Sequence, residues 1–119
     1  ATATPTPGAG AYVHNFTTDG KTSGFFDIQG NLSTTKGTVT YNGLTLTQCL
    51  KIESSTSIAF TTTTTSTLTL VLNSADGTKI KIDGTSYPIT NGIVSVTLAP
   101  GAHAITKDSV TNLFYMKVE

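Results

Sequence analysis

Apolar and polar residues alternate in short runs along most of the chain, and nowhere do apolar positions recur with the spacing of a sustained amphipathic helix. Phe26 and Ile28 alternate with Phe25, Asp27 and Gln29. Ile58 and Phe60 follow, then Leu68, Leu70 and Leu72 among Thr67, Thr69 and Val71. Ile80 and Ile82 alternate with Lys79 and Lys81, and Val94, Val96 and Leu98 with Ser95 and Thr97. Ala104 and Thr106 alternate with His103 and Ile105, and Phe114, Met116 and Val118 with Tyr115 and Lys117. Asp19-Gly20, Asp76-Gly77, Asp83-Gly84, Asn91-Gly92 and Pro100-Gly101 punctuate these runs as turns. Short strands at this spacing, rich in Thr, Val and Ile, predict an all-β fold, an antiparallel β-sandwich. Jelly-roll-like and immunoglobulin-like strand orders both remain open.

The best-specified element is a hairpin around Asn42-Gly43, a pair that tolerates the positive φ angles of a two-residue turn. That turn sets Tyr41 against Leu44, Thr40 against Thr45, Val39 against Leu46 and Thr38 against Thr47. Alternation sends Tyr41, Leu44, Val39 and Leu46 to the core and the threonines to a polar face. Continuing the register puts Lys36 opposite Cys49 and Thr34 opposite Lys51, so the two lysines become diagonal neighbours, roughly 7–8 Å apart at the backbone. Gln48 falls on the core side in this alternation, which points to a bulge near Cys49. Two ammonium groups so close repel each other unless an anion lies between them. A threonine-lined face with paired cations suits an extended anionic ligand; the plainer reading is a solvated, solubilising pair.

Composition narrows the ligand. The net charge is zero and every basic residue is lysine, so nothing marks a nucleic-acid or anionic-membrane surface, and the bidentate contacts of arginine are missing. Tryptophan is absent, which argues against binding to crystalline cellulose through flat stacking platforms. Cys49 is the only cysteine and has no partner for an internal disulfide; it reads as a small, buried residue. No run is long and apolar enough to cross a membrane as a helix, and no signal peptide is visible. Residues 1–11 begin ATATPTPGAG, a Thr/Pro-rich stretch with nothing to bury, and read as a linker of a secreted modular protein. The domain is then 12–119, long enough to bury a working core.

Catalytic chemistry is hard to find. Asp76 and Asp83 are accounted for as turn residues, Asp19 likewise, and Glu53 as a solvated partner of Lys51. No paired acid and base, nucleophile elbow or phosphate-binding glycine loop occurs. His14 and His103 have no metal-ligand spacing with Cys49, and no cluster of Asp and Asn marks a calcium site. The chain reads as a non-enzyme without a cofactor.

YVHNF at Tyr12–Phe16, the run GNLSTTKGTVTYNGLTLTQCLKIESSTSI from Gly30 to Ile58, KIDGTSY at Lys81–Tyr87 and HAITKDSVTNLFYM from His103 to Met116 together resemble carbohydrate-binding module family 77. These small β-sandwich modules are attached to bacterial, cellulosomal pectate lyases. The resemblance covers nearly everything after the linker. It implies binding to pectin, as homogalacturonan of low methyl-esterification, through Lys36, Lys51 and Lys107 pairing with uronate carboxylates. Covalently linked pectate lyase domains also follow from it; the module is expected to be extracellular, as its linker suggests, and monomeric. Lys107, at a strand end, joins the set by resemblance alone. Two other readings stand beside it: a spacer that binds nothing, and a binder of neutral plant glycans using Tyr12, Tyr41 or Tyr115 as a platform. Lys79 and Lys81 form a rival basic pair with no assigned role.

Overall fold

In the computed structural model the protein is described over residues 12–73 and 78–119; the 1–11 linker and the Asp76-Gly77 turn lie outside these residues. Thirteen strands and one helical turn follow one another: β1 (Tyr12–Asn15), α1 (Phe16–Asp19), β2 (Asp27–Gln29), β3 (Asn31–Ser33), β4 (Val39–Tyr41), β5 (Leu44–Leu46), β6 (Cys49–Ile52), β7 (Ser57–Thr62), β8 (Ser66–Leu72), β9 (Lys79–Ile82), β10 (Thr85–Pro88), β11 (Ile93–Leu98), β12 (Gly101–Lys107) and β13 (Thr111–Val118). The first sheet has the order β11-β8-β13-β6-β3, with β1 on the far half of β13 beside β6. The second has the order β10-β9-β12-β7-β2. All pairings are antiparallel, and the fold is the β-sandwich that the alternation predicts. The two orders match position by position: β11 with β10, β8 with β9, β13 with β12, β6 with β7 and β3 with β2 are neighbours along the chain. The polypeptide thus steps repeatedly from one sheet to the other, in the jelly-roll manner.

The core between the sheets follows the alternation. Leu68, Leu70 and Leu72 point inward from β8, Ile80 and Ile82 from β9, Ile58 and Phe60 from β7. Asn42-Gly43, Asp83-Gly84 and Asn91-Gly92 each carry two successive positive φ angles, which fits the primed turns that two-residue hairpins require. Gly92 is fixed for a second reason: a Cβ there would meet the Leu72 carbonyl oxygen at 2.5 Å. That is the oxygen of the residue whose amide donates to Gly92.

A second apolar cluster lies on the outer face of the first sheet, which the alternation does not foresee. The register of β13 against β8 shifts between Leu113 and Tyr115. This bulge turns both Phe114 and Tyr115 outward, whereas Leu113 and Met116 stay in the central core. Phe114, Tyr115, Val71 and Cys49 would be left facing water without a cover. The hairpin β4–β5 supplies it, packing Val39, Tyr41 and Leu46 onto them, with the Tyr41 and Tyr115 rings 5.1 Å apart.

The hairpin has the predicted register from Val39↔Leu46 to Tyr41↔Leu44. Its extension departs from expectation. Ser33, not Lys36, lies opposite Cys49, and Asn31, not Thr34, lies opposite Lys51. Five residues, 34–38, separate β3 from β4, but only Thr47 and Gln48 separate β5 from β6. The arms therefore part, and residues 34–38 form a strap over the outer face of the first sheet. The bulge expected near Cys49 is not what forms: β3 pairs with β6 without a register shift there, and the hairpin instead ends in this break at Thr47 and Gln48. Thr17 Oγ1 in α1 accepts from both the Thr47 and Gln48 amides, at 2.9 and 3.1 Å, and Gln48 Nε2 donates to the Phe16 carbonyl at 2.6 Å. These bonds replace the ladder bonds that a continuous hairpin would have made. A further correction concerns Leu44, expected in the core but 38% exposed near the hairpin tip.

Candidate functional site

Lys51 lies on β6 with its side chain on the outer face of the first sheet, since Leu50 and Ile52 occupy the core. Its strand neighbours are Asn31 on β3 and Asn112 on β13. The turn after it is clasped by buried Thr56, whose hydroxyl donates to the Lys51 carbonyl at 2.6 Å and accepts from the Glu53 amide at 3.1 Å. The Lys51 ammonium is 3.9 Å from a Glu53 carboxylate oxygen, in a half-exposed pair. Asn31 Nδ2 reaches the other oxygen at 3.4 Å.

Lys36 lies on the exposed strap and makes no ion pair among the described residues. Its carbonyl accepts from Asn73 Nδ2 at 2.6 Å, and Asn73 Oδ1 accepts from Asn112 Nδ2 at 3.2 Å. Asn112 is the strand neighbour of Lys51, so a chain of two amides spans from one lysine to the strand beside the other. The thiol of Cys49 is pushed up from its ordinary pKa by burial, opposed by the charge of Lys36, a backbone hydrogen bond involving Ser33 and the charge of Lys51. The predicted pairing of Lys36 with Cys49 is absent; the strap instead sets the Lys36 backbone against Asn73, itself bonded to the strand neighbour of Lys51.

Lys107 ends β12 in the second sheet, beside Ile80. Three residues, 108–110, carry the chain from there to Thr111 and Asn112 at the start of β13. It therefore shares the end of the sandwich with Lys51 and Asn112 but belongs to the opposite sheet. Lys79 and Lys81 belong to β9, whose Ile80 and Ile82 fill the core, so they face outward on the second sheet. Lys117 is held by Glu119 at 3.1 Å, a hydrogen bond that raises its pKa, and Lys21 donates to the Gly30 carbonyl at 2.8 Å.

Two of the three candidate platform tyrosines are buried, and Tyr41 is half-buried against Tyr115. Tyr12 is 8% exposed and stacked on Phe25 at 3.7 Å, and Tyr115 is 7% exposed beneath the hairpin. A shallow groove of about 430 Å³ does open on the second sheet, lined by residues that include Phe25, Asp27, Thr61 and Ala102, but no lysine borders it. Sequence reasoning missed the role of Asp83 beyond its turn. Its carboxylate accepts from the Ala104 amide at 2.8 Å and meets His103 Nδ1 at 2.6 Å, while His103 Nε2 meets the Ala99 carbonyl at 2.6 Å. This clasp ties the β9–β10 turn to β12. No local pattern could reveal it, because the partners are 20 residues apart.

The chemistry on offer at the lysine face is ammonium charge flanked by amides and hydroxyls, suited to holding an anionic, hydroxyl-rich ligand and not to breaking bonds. Among the described residues no three His, Cys, Asp or Glu side chains gather as a metal site. The profile of the family described as carbohydrate binding module 77 matches residues 10–116. The chain belongs to carbohydrate-binding module family 77. It is thus a non-catalytic module that binds carbohydrate. A solved structure reported under the words "The complexity of the Ruminococcus flavefaciens cellulosome reflects an expansion in glycan recognition" superposes with a TM-score of 0.89 at 55% identity. The match covers 92% of this chain and 93% of that one. No curated protein matches. For a family 77 module no acid–base pair is called for, and the question becomes which glycan it binds and through which residues.

Proposed function

We propose that this family 77 module binds pectin, as homogalacturonan of low methyl-esterification, with Lys36, Lys51 and Lys107 pairing with uronate carboxylates. The observation that carries the reading is the amide chain that runs from the Lys36 carbonyl through Asn73 to Asn112, the strand neighbour of Lys51, on a face where Lys36 makes no ion pair among the described residues. A polyuronate presents carboxylates at regular intervals, so several weak pairs can act together. Each exposed pair is worth roughly 0.2–1 kcal/mol alone. Lysine stems adapt to a polymer of variable twist, and neighbouring amides and hydroxyls can meet sugar hydroxyls directly or through water. The module directs an appended pectate lyase to plant cell wall outside the cell, within a cellulosomal protein of the kind named for the similar structure. Tethering makes weak binding sufficient, because the second engagement becomes intramolecular.

Affinity gels containing pectins of graded esterification test the reading. Retardation should be strong on polygalacturonate and fade as methyl esters replace free carboxylates, since esterification removes charge and leaves the ring. Lys36→Ala, Lys51→Ala and Lys107→Ala should each lose most of that retardation at unchanged melting temperature. Lys79→Ala and Lys81→Ala should behave as the parent. Equal retardation on gels of low and high esterification excludes the ion-pair mechanism.

A further inference from the structure

Residues 34–38 are exposed and belong to no strand, and Gly37 within them has a φ of 102°. Ser33 Oγ bonds Thr35 locally, at 3.1 Å to its hydroxyl and 3.3 Å to its amide. A long-range side-chain bond reaches the strap from Asn73, whose Nδ2 donates to the Lys36 carbonyl. Its polarity is forced. A carbonyl only accepts, so Asn73 must present its NH₂ group to Lys36 and its oxygen to Asn112, which in turn must present its own NH₂ group. Asn112 is seated on β13, the middle strand of the first sheet, beside Lys51. The position of the Lys36 backbone is therefore referred to Lys51 through two amides and strand β13, and not through the strap alone.

We propose that Asn73 is a positioning residue for the lysine face: with Asn112 it fixes the gap between the Lys36 and Lys51 ammonium groups, and thereby the carboxylate spacing the module accepts. This rests on the pectin reading for the identity of the ligand, though not for the tether itself. A lysine stem is flexible, so what the protein can fix is the point from which the stem starts. Holding that point in advance removes an ordering cost from binding. With the tether cut, the strap samples many positions, and a polymer of the right spacing loses its advantage over one with the same charge per sugar but a different repeat.

Two measurements decide it. The first needs no ligand: backbone NMR order parameters of Gly37 and Thr38 should fall in Asn73→Ala and in Asn73→Asp. The second variant keeps the shape and the acceptor for Asn112 but cannot donate to Lys36. An unchanged strap in both folded variants overturns the proposal. The second is calorimetry on polygalacturonate and on polymannuronate with the parent, Asn73→Ala, Lys36→Ala and the double variant, at matched melting temperature. Asn73→Ala should lose about five- to tenfold on polygalacturonate, a factor typical of energetically coupled positions. It should also narrow the preference over polymannuronate, and it should cost nothing more in the Lys36→Ala background, because the tether acts through Lys36. An equal loss in both backgrounds, or no loss in the parent, overturns the positioning role. A parent that ignores polygalacturonate sinks the pectin reading instead and leaves the strap measurement to judge the tether.

Discussion

Glu53 stands 3.9 Å from the Lys51 ammonium and competes for it with any anion that arrives. The pair is half-exposed and its strength is screened, about 0.2–1 kcal/mol for such contacts, a factor of roughly 1.4–5 in an equilibrium. Glu53→Gln keeps an oxygen for Asn31 and removes the competitor, so calorimetric affinity for polygalacturonate should rise within that factor. A fall would mean that Glu53 orients Lys51 and does not compete with the ligand. Cys49, beneath the same lysines, gives a prediction in pH. Burial raises its thiol above the unfolded value, so an unfolded chain releases the proton first, as pH climbs past about 8.5. The stability that comes from keeping the thiol neutral is whole below that pH and is lost as pH rises through the folded value. The melting temperature should therefore decline on the alkaline side, and less steeply in Cys49→Ala than in the parent. At this scale alternation correctly turned Lys51 away from the core, between Leu50 and Ile52, but the register carried out from the Asn42-Gly43 turn misplaced Lys36. Asn73 and Asn112 were not readable, since a polar residue outside a motif declares no partner, and theirs are 37 and 39 residues away.

The hairpin was legible in its turn and its first three pairs, and no further. The arms beyond Thr38 and Thr47 keep the same alternation whether they stay paired or part, so periodicity cannot distinguish the two. What decides is the α1 turn, a four-residue element capped by Asn15, whose side chain accepts from the Thr17 amide at 2.9 Å. It is too short to give a periodic signal, yet it offers Thr17 Oγ1 and the Phe16 carbonyl to Thr47 and Gln48. The outward bulge was hidden for a similar reason: Leu113-Phe114-Tyr115-Met116 is an unbroken apolar run, and such a run does not say which members face which side. Phe114 is fully buried beneath the hairpin. Phe114→Ala should cost about 3–5 kcal/mol in equilibrium urea unfolding, with the β4–β5 amides losing hydrogen-exchange protection before those of β8 and β13. A loss below about 1 kcal/mol would show that the hairpin is anchored elsewhere.

Over the whole molecule, neutrality sharpens the salt prediction. With no net charge there is little overall field to attract a polyanion, so on the proposed reading any ionic attraction is local to the lysines. At about 1 M salt the Debye length falls to roughly 3 Å, and affinity for polygalacturonate should collapse; undiminished calorimetric affinity there would exclude ion pairing as its source. The sandwich class was legible from strand spacing, but the order of strands was not, because the sheet orders are set by which faces meet after the chain has crossed between sheets. One pairing in that order has a consequence for how the module is mounted. Tyr12 lies beside Val118, so polypeptide joined before β1 and after β13 arrives and departs at a common pole. Asn112, with Lys51 alongside, lies six residues back along β13, about 20 Å at the rise of a strand. Neighbouring domains would therefore attach at one pole while the lysines look out from the other, like a lamp hung by its flex, leaving a wall polymer free to run past on both sides.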